Sequence, residues 1–319
     1  MWIVEGFVQQ TGNRNVEDVA EDYLEELIDR SLIQVAHTRT DGGVKTCRIH
    51  DLLRDLCISE SKEEKFLEVC SDFNLLHMSK SRRLSINCAT PPDMNLCDSS
   101  NCHSLLDFGY EYDESDLKWL CNSLWNLVTL ELRTSKIKCL PKEIWMLEKL
   151  RHLYLGGPTS IPRARTDDKA LRNLQVLTAS KSKLIPLEAH KGNLSRRVTS
   201  VLGSLPYLRI LKLGFHRECI EIYLLCNESS FRQLDVFEMA DLWISYWELG
   251  KGAMPSLRRL VINNCPSLIM RPEELWCLTA LQDLEVLHPS EEMAKTLQGL
   301  QMKKNGCKLQ VNPPLDATN

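Results

Sequence analysis

Long apolar runs are missing from this chain of 319 residues. None approaches the ~18 consecutive apolar residues of a membrane-spanning helix, and no cationic stretch followed by an apolar one opens the sequence, as in a secretory leader. The expectation is a soluble cytoplasmic protein without stable membrane insertion. Cysteine is not scarce, at 13, but Cys-x-x-Cys pairs are absent and the total is odd, so scattered reduced thiols are expected rather than a disulfide framework. Asn193-Leu194-Ser195 and Asn227-Glu228-Ser229 fit the glycosylation acceptor pattern, which carries no meaning outside the secretory route. A Gly-x-Ser-x-Gly elbow is missing, as is any metal-ligand spacing, so no catalytic residue and no metal is expected. Nor does Gly-x-x-x-x-Gly-Lys-Ser/Thr occur. Gly250-Lys251 comes nearest, with Ser245 where the first glycine belongs and Gly252 where a hydroxyl belongs. Without that loop nothing cradles phosphates or positions Mg²⁺, and no cofactor is expected for this chain.

What is present is a repeat. Leu-x-x-Leu-x-Leu, or an apolar equivalent, recurs at Leu127/Leu130/Leu132, Leu150/Leu153/Leu155, Leu174/Leu177, Leu208/Leu211/Leu213, Leu234/Phe237/Met239, Leu257/Leu260/Ile262 and Leu281/Leu284/Val286. First positions are 23, 24, 34, 26, 23 and 24 residues apart, and a period of roughly 20–29 residues is that of a leucine-rich repeat. The second and third apolar positions are two apart, so they share one face of a short strand. No unit can bury that face alone, whereas stacked units can, as a solenoid with parallel strands on its concave surface. Leu140-Pro141-x-x-Ile144-x-x-Leu147 leads into one unit, and Pro141 suits the first turn of a short helix on the opposite side. Weaker strands are expected at Leu84/Ile86 and around Leu105. The long gap after Leu174 holds either a loop or a degenerate repeat around Leu184 to Val201.

The first 70 residues differ in character. They hold 15 acidic and 8 basic residues, a net of −7, against +3 for the rest. Val16, Val19, Ala20, Tyr23, Leu24, Leu27 and Ile28 form one helical stripe, with Glu17, Asp18, Glu21, Asp22, Glu25, Glu26 and Asp29 opposite. Ser31–Ala36 and Val44–Ile49 read as a hairpin about Thr40-Asp41-Gly42-Gly43. A second helix follows, with Leu52, Leu53, Leu56 and Cys57 turned inward. This is the outline of a winged helix, whose common use is reading DNA. Seven carboxylates on the helix before the hairpin would face a polyanion, so no nucleic-acid partner is expected.

Three ordered blocks carry a resemblance: Trp2-Ile3-Val4-Glu5-Gly6-Phe7; Asp22-Tyr23-Leu24-Glu25-Glu26-Leu27-Ile28-Asp29-Arg30-Ser31-Leu32-Ile33; and Cys47-Arg48-Ile49-His50-Asp51-Leu52-Leu53-Arg54-Asp55-Leu56. They resemble the winged-helix end of the nucleotide-binding module of plant disease-resistance proteins, and more narrowly the coiled-coil class that includes the late-blight-resistance proteins. With the repeats behind them, the resemblance covers nearly the whole chain. It implies that Ile49-His50-Asp51 corresponds to the family's Met-His-Asp motif, in which the histidine contacts the β-phosphate of ADP and the aspartate supports the local fold. An imidazole at a helix start adds to the amides and dipole that favour phosphate there; spacing alone favours a His50 that merely satisfies a buried polar group at the strand-to-helix junction, and the resemblance favours the phosphate contact in the intact protein. ADP or ATP is the cofactor of the intact family. The coiled-coil and nucleotide-binding core find no counterpart in this sequence, so an N-terminally truncated member is expected.

The expected architecture is therefore α/β: a small α+β winged-helix domain over residues 1–72, a linker with a degenerate first repeat over 73–100, a leucine-rich-repeat domain over 101–311 and a tail at 312–319. Function should lie on outward strand positions, in the columns Glu131, Tyr154, Thr178, Lys212, Glu238, Val261, Glu285 and Thr129, His152, Val176, Ile210, Val236, Arg259, Asp283. Glu131, His152, Tyr154, Ile210, Lys212, Glu238, Arg259 and Glu285 are the candidate partner contacts, and their mixture of aromatic, apolar and charged groups suits a protein. Trp243, Tyr246 and Trp247 add an aromatic cluster in a loop, either as a contact hot spot or as plugs for the end of a repeat. The resemblance implies a receptor that recognises a pathogen effector or a guarded host protein, with a nucleotide-binding domain in trans as a further partner. The alternatives are a non-immune leucine-rich-repeat scaffold and a receptor remnant without function.

Overall fold

The computed structural model describes residues 7–9, 16–38, 43–70, 81–87, 101–108, 112–133, 140–156, 171–179, 201–214, 222–268, 278–301 and 307–313. Helix α1 (Val16–Asp29) precedes an antiparallel hairpin of β1 (Ile33–Thr38) and β2 (Val44–Ile49), and α2 (Asp51–Glu63) follows directly. Val19 is buried on α1 while Leu24, Leu27 and Ile28 are half-buried, and Glu21, Asp22, Glu25, Glu26 and Asp29 face solvent. The acidic face is thus placed as the 3.6-residue period requires.

Helix α2 departs from expectation. Leu53 is half-buried, but Leu52 is 79% and Leu56 55% exposed, Cys57 is exposed too, and no residue of α2 is buried. Periodicity identifies an apolar stripe without saying what covers it. Among the described residues only Leu53 of that stripe is partly covered.

Eleven strands form one sheet: β3 (Leu67–Cys70), β4 (Arg83–Ile86), β5 (Ser104–Asp107), β6 (Thr129–Leu132), β7 (His152–Leu155), β8 (Val176–Ala179), β9 (Ile210–Gly214), β11 (Val236–Ala240), β13 (Arg259–Asn263), β14 (Asp283–Leu287) and β15 (Lys308–Asn312). Neighbours pair in parallel and follow sequence order. The missing labels, β10 (Ile222–Cys226) and β12 (Ile244–Leu249), form a separate parallel pair. Strands at Leu84/Ile86 and around Leu105 are present, and β3 and β15 extend the sheet beyond the legible repeats. The sheet's first strand lies inside the stretch 1–72 that the sequence assigned to the winged helix. Residues 180–200 lie outside the described residues, yet β8 pairs directly with β9, so the long gap inserts no strand between them.

Register explains why leucine repeats. Leu84, Leu105, Leu130, Leu153, Leu177, Leu211, Phe237, Leu260, Leu284 and Leu309 align across the sheet, and Leu132, Leu155, Ala179, Leu213, Met239, Ile262, Val286 and Val311 form a second row two residues on. Both rows enter one buried cluster, and burying each large side chain contributes about 1.5–3 kcal/mol. Polar residues take two row positions. Asp107, fully buried, interrupts the second row in β5 between Leu132 and Ile86, and Glu68 takes the first-row position in β3, where it accepts a hydrogen bond from the Ser81 hydroxyl at 3.4 Å.

The back of the sheet is built from short elements. Helix α3 (Glu114–Ser123) starts with a capping box between Asp113 and Asp116 and buries Leu117, Leu120 and Cys121. The Ser115 hydroxyl and the backbone N–H of Asp116 hold the Asp113 carboxyl below its usual range. The Leu-Pro unit forms a 3₁₀ helix, Lys142–Met146, with Pro141 at its N-cap in extended conformation rather than inside the first turn, and Ile144 and Trp145 point into the core. Helix α4 (Glu291–Gln301) is capped by the Ser290 hydroxyl, which accepts from the Met293 N–H at 3.3 Å.

Close stacking constrains the backbone. A Cβ on Gly156 would lie 2.2 Å from the Arg133 carbonyl oxygen, because the Gly156 N–H donates to Leu132 O at 2.7 Å across adjacent strand ends. Leu171, Phe231 and Met254 adopt left-handed φ of 51°, 55° and 50°, each three residues ahead of a first-position leucine. Such strain costs on the order of 1–3 kcal/mol and persists only where packing over-determines it. All three side chains are buried in the core.

Candidate functional site

Strand alternation turns the residues between the apolar rows outward. On β9, β11, β13 and β14 these are Ile210 and Lys212, Val236 and Glu238, Arg259 and Val261, and Asp283 and Glu285. Lys212 Nζ lies 2.8 Å from Glu238 Oε2, its direct neighbour across the strands. Arg259 reaches diagonally to Glu285 Oε2, also at 2.8 Å. Cross-strand pairs of opposite charge stabilise a sheet by roughly 0.2–1 kcal/mol each. Four candidate contacts are therefore brought together here as two ion pairs, with half-buried Ile210 and Val236 beside them.

The other candidates cluster on β6 and β7 and are less accessible. Glu131 is 8% exposed and accepts from Arg133 Nε at 2.5 Å, while the Arg133 guanidinium lies 4.5 Å from the Phe108 ring centroid. Tyr154 is half-buried, and burial together with the nearby Glu131 carboxylate pushes its hydroxyl up to about 12. His152 is wholly buried, edge-on to Tyr154 with ring centroids 6.0 Å apart, and flanked in register by Thr129 and Val176. The expectation that His152 meets a partner fails on this geometry, because close in-register neighbours enclose the ring. Glu131 is nearly as withdrawn. Outward column positions on β5 to β8, namely Ser104, Thr129, His152 and Val176, are buried, whereas their counterparts from β9 to β14 are half-exposed.

The aromatic cluster divides too. Trp247 lies in strand β12 rather than a loop and packs edge-on against Phe237. It plugs the core. Trp243 is 41% exposed, and the Tyr246 side chain lies outside the described residues.

One charged column escaped the sequence reading. Asp235 receives two hydrogen bonds of 2.5 Å from Arg258 and lies 3.8 Å from Arg209. These residues directly follow the first-position leucines or align with them, so the repeat spacing itself could have found them.

His50 caps α2. Its Nδ1 accepts from the Leu52 N–H at 3.4 Å, which places the proton of a neutral ring on Nε2. The side chain is exposed, so the alternative of a buried polar group being satisfied does not hold. Asp51, its side chain 86% exposed, makes an ion pair with Arg54 at 3.6 Å in the first turn. One imidazole and the amides of one helix start supply donors for an anion but not an enclosure for a nucleotide. Among the described residues no group of His, Cys, Asp and Glu could hold a metal ion, and no helix is long and apolar enough to cross a membrane.

Residues 1–57 match the family described as the disease resistance protein winged helix domain. Over 94% of its length the chain is 25% identical to the putative late blight resistance protein homolog R1B-11 of Solanum demissum. It is 24% identical, over the same share, to late blight resistance protein R1-A of that species. This chain is a homologue of plant disease-resistance proteins. The homologue spans about a third of the curated relatives it matches, 28% of R1B-11 and 33% of R1-A. The similarity therefore runs through the winged helix into the sheet, the two parts that carry His50 and the outward columns.

Proposed function

We propose that this homologue is the recognition part of a plant innate-immune receptor. In this reading the parallel sheet is the inner face of a leucine-rich-repeat solenoid, and its outward columns bind a pathogen effector or a host protein that an effector alters. The observation that carries the reading is the unbroken in-register run from β4 to β15, with apolar rows facing the core and chemically mixed columns facing out. Stacked repeats present extended binding surfaces of this kind, and the mixture on β9 to β14 fits a protein partner. The winged helix regulates an ADP/ATP-switched module in the cytoplasm. There His50 offers its Nε2 proton to a nucleotide phosphate while Asp51 and Arg54 brace the helix start. The sequence contains no phosphate-binding loop, so a nucleotide-binding domain, in trans where necessary, supplies the rest. Exposed Leu52 and Leu56 are the apolar side of that contact.

Affinity capture from pathogen-challenged leaf tissue tests the recognition face, comparing the chain with a Lys212→Glu, Arg259→Glu double variant of unchanged melting temperature. Reversal of these charges sets like charges against Glu238 and Glu285 and against whatever complements them, so the retained partner should fall about tenfold or more. An identical protein set with both baits, or nothing retained above a control, overturns the reading.

A further inference from the structure

We infer that the rim of the sheet where its strands begin is a binding ridge for single-stranded nucleic acid. The residues on either side of each buried first-position leucine emerge there: Lys149 and Arg151 flank Leu150, and Tyr207 and Arg209 flank Leu208. One residue per strand is tied to its counterpart in the preceding strand by a backbone hydrogen bond of 2.7–2.9 Å, from His103 N–H on Arg82 O to Arg258 N–H on Asp235 O. This row crosses eight strands, β4 to β13, and at about 4.8 Å per strand it spans roughly 34 Å.

Charge separates this rim from the face beside it. The row carries Arg82, Arg151, Arg209 and Arg258 against Asp235, which Arg258 and Arg209 share at 2.5 and 3.8 Å. Just before the buried leucines stand Lys149, Arg172 and Arg232 against Glu148. Among the described residues of the rim from β4 to β14, seven cations thus meet two carboxylates, all exposed or half-exposed, in a chain whose net charge is −4. The outward columns are balanced by contrast, with Lys212 against Glu238 and Arg259 against Glu285. Two aromatic side chains interleave with the cations. Trp125 is 52% and Tyr207 49% exposed, and the Lys149 ammonium lies 5.2 Å from the Trp125 ring centroid while donating to Asn126 Oδ1 at 2.5 Å. A cationic track with exposed aromatic rings suits a single strand, the cations holding phosphates and the rings stacking on bases. A duplex shows its bases only through grooves that admit a helix or a two-stranded ribbon, whereas this rim presents strand starts and turns. Protein interfaces deplete charge at their centres, and here cations run the length of the ridge. The carboxylates that repel a polyanion from α1 belong to the winged helix, not to this rim. The inference goes beyond the recognition reading and stands without it.

Fluorescein-labelled oligothymidylate and oligouridylate of about 20 nucleotides, titrated into the whole chain and followed by fluorescence anisotropy, test the inference. Both should bind, and the tighter of the two names DNA or RNA as the source. Affinity should fall as salt is raised, with a log–log slope of about 0.7 for each phosphate held. An Arg151→Glu, Arg172→Glu variant of unchanged melting temperature should bind about tenfold more weakly, with that slope lower by roughly 1.4. Tyr207→Ala should weaken binding about fivefold or more and leave the slope as it is, while Lys212→Glu on the outward column should leave binding unchanged. Equal affinity for a thymidylate–adenylate duplex would mean adsorption by charge alone. Equally effective competition by polyglutamate would assign the ridge to an acidic protein, and by vesicles of phosphatidylserine and phosphatidylcholine to a lipid surface. Any of these results, no binding at all, or indifference to either rim variant overturns the inference.

Discussion

At the scale of single residues, His50 couples sequence to chemistry most directly. Its Nδ1 serves the Leu52 N–H, which leaves Nε2 as the ring's donor. Loss of an N-cap costs about 1 kcal/mol, and His50→Ala should lower stability by no more than that, because the ring is exposed. A lone donor does not bind a nucleotide. Calorimetry of the chain with ADP should accordingly give no micromolar binding, with or without His50, and micromolar affinity lost in His50→Ala would show that the chain holds its own nucleotide site. The Ile49-His50-Asp51 triplet could be singled out from sequence, but the partner of Nδ1 could not, since an N-cap hydrogen bond depends on a φ of −64° and ψ of 141° that spacing does not fix.

At the scale of elements, three side chains distant in sequence meet where the winged helix joins the sheet. The Arg83 guanidinium of β4 lies 4.2 Å from the Phe66 ring centroid and 5.2 Å from that of Phe7, and the two rings are 5.7 Å apart. Each cation–π contact contributes roughly 0.5–1 kcal/mol at exposed sites. Arg83→Ala should therefore loosen the first strands of the sheet from the N-terminal module, read as faster hydrogen exchange in β3 and α2 with little change in β11 to β14. Uniform exchange along the sheet would rule out a local clasp. Nothing in the sequence pairs Phe7 with Arg83, for such contacts have no period. Elements with a period were legible: α1, the hairpin and the main-sheet strands from β4 to β14 fell where their apolar spacing put them, whereas the separate pair β10 and β12 lies outside that spacing and was not foreseen. The α2 stripe was found but its environment was misjudged, and β3 escaped notice because Glu68 occupies a leucine position. On the sheet face, the columns were legible and their accessibility was not, since the enclosure of His152 depends on Thr129 and Val176 from other repeats.

At the scale of the whole molecule, one core runs behind the sheet from β4 to β14, and its buried thiols report on it. Burial pushes Cys121 and Cys226 up to about 12 and Cys265 to about 11, from an ordinary value of 9.0, the Glu143 carboxylate adding to the shift at Cys121. Unfolded thiols release their protons near pH 9, while native ones retain them, so the folded chain binds more protons between about pH 9 and 12 and loses stability as pH rises through that window. By pH 10 the loss should reach roughly 1 kcal/mol for each thiol, and Tyr154, raised from 10.0 to about 12, extends the decline above pH 10. Urea midpoints measured from pH 7 to 10.5 should thus be flat to about pH 8.5 and then fall, and a Cys226→Ala variant should fall less steeply. Repeat stacks are stabilised by nearest-neighbour interfaces, so where the loss begins is informative: Cys121 lies behind β6, whereas Cys226 and Cys265 adjoin β11 and β13. With two of three thiols there, iodoacetamide at pH 9.5 and intermediate urea should label Cys226 and Cys265 before Cys121. Simultaneous labelling would mean that the sheet from β3 to β15 unfolds as a single cooperative unit, so that a partner bound on β9 to β14 would stabilise the winged helix as well.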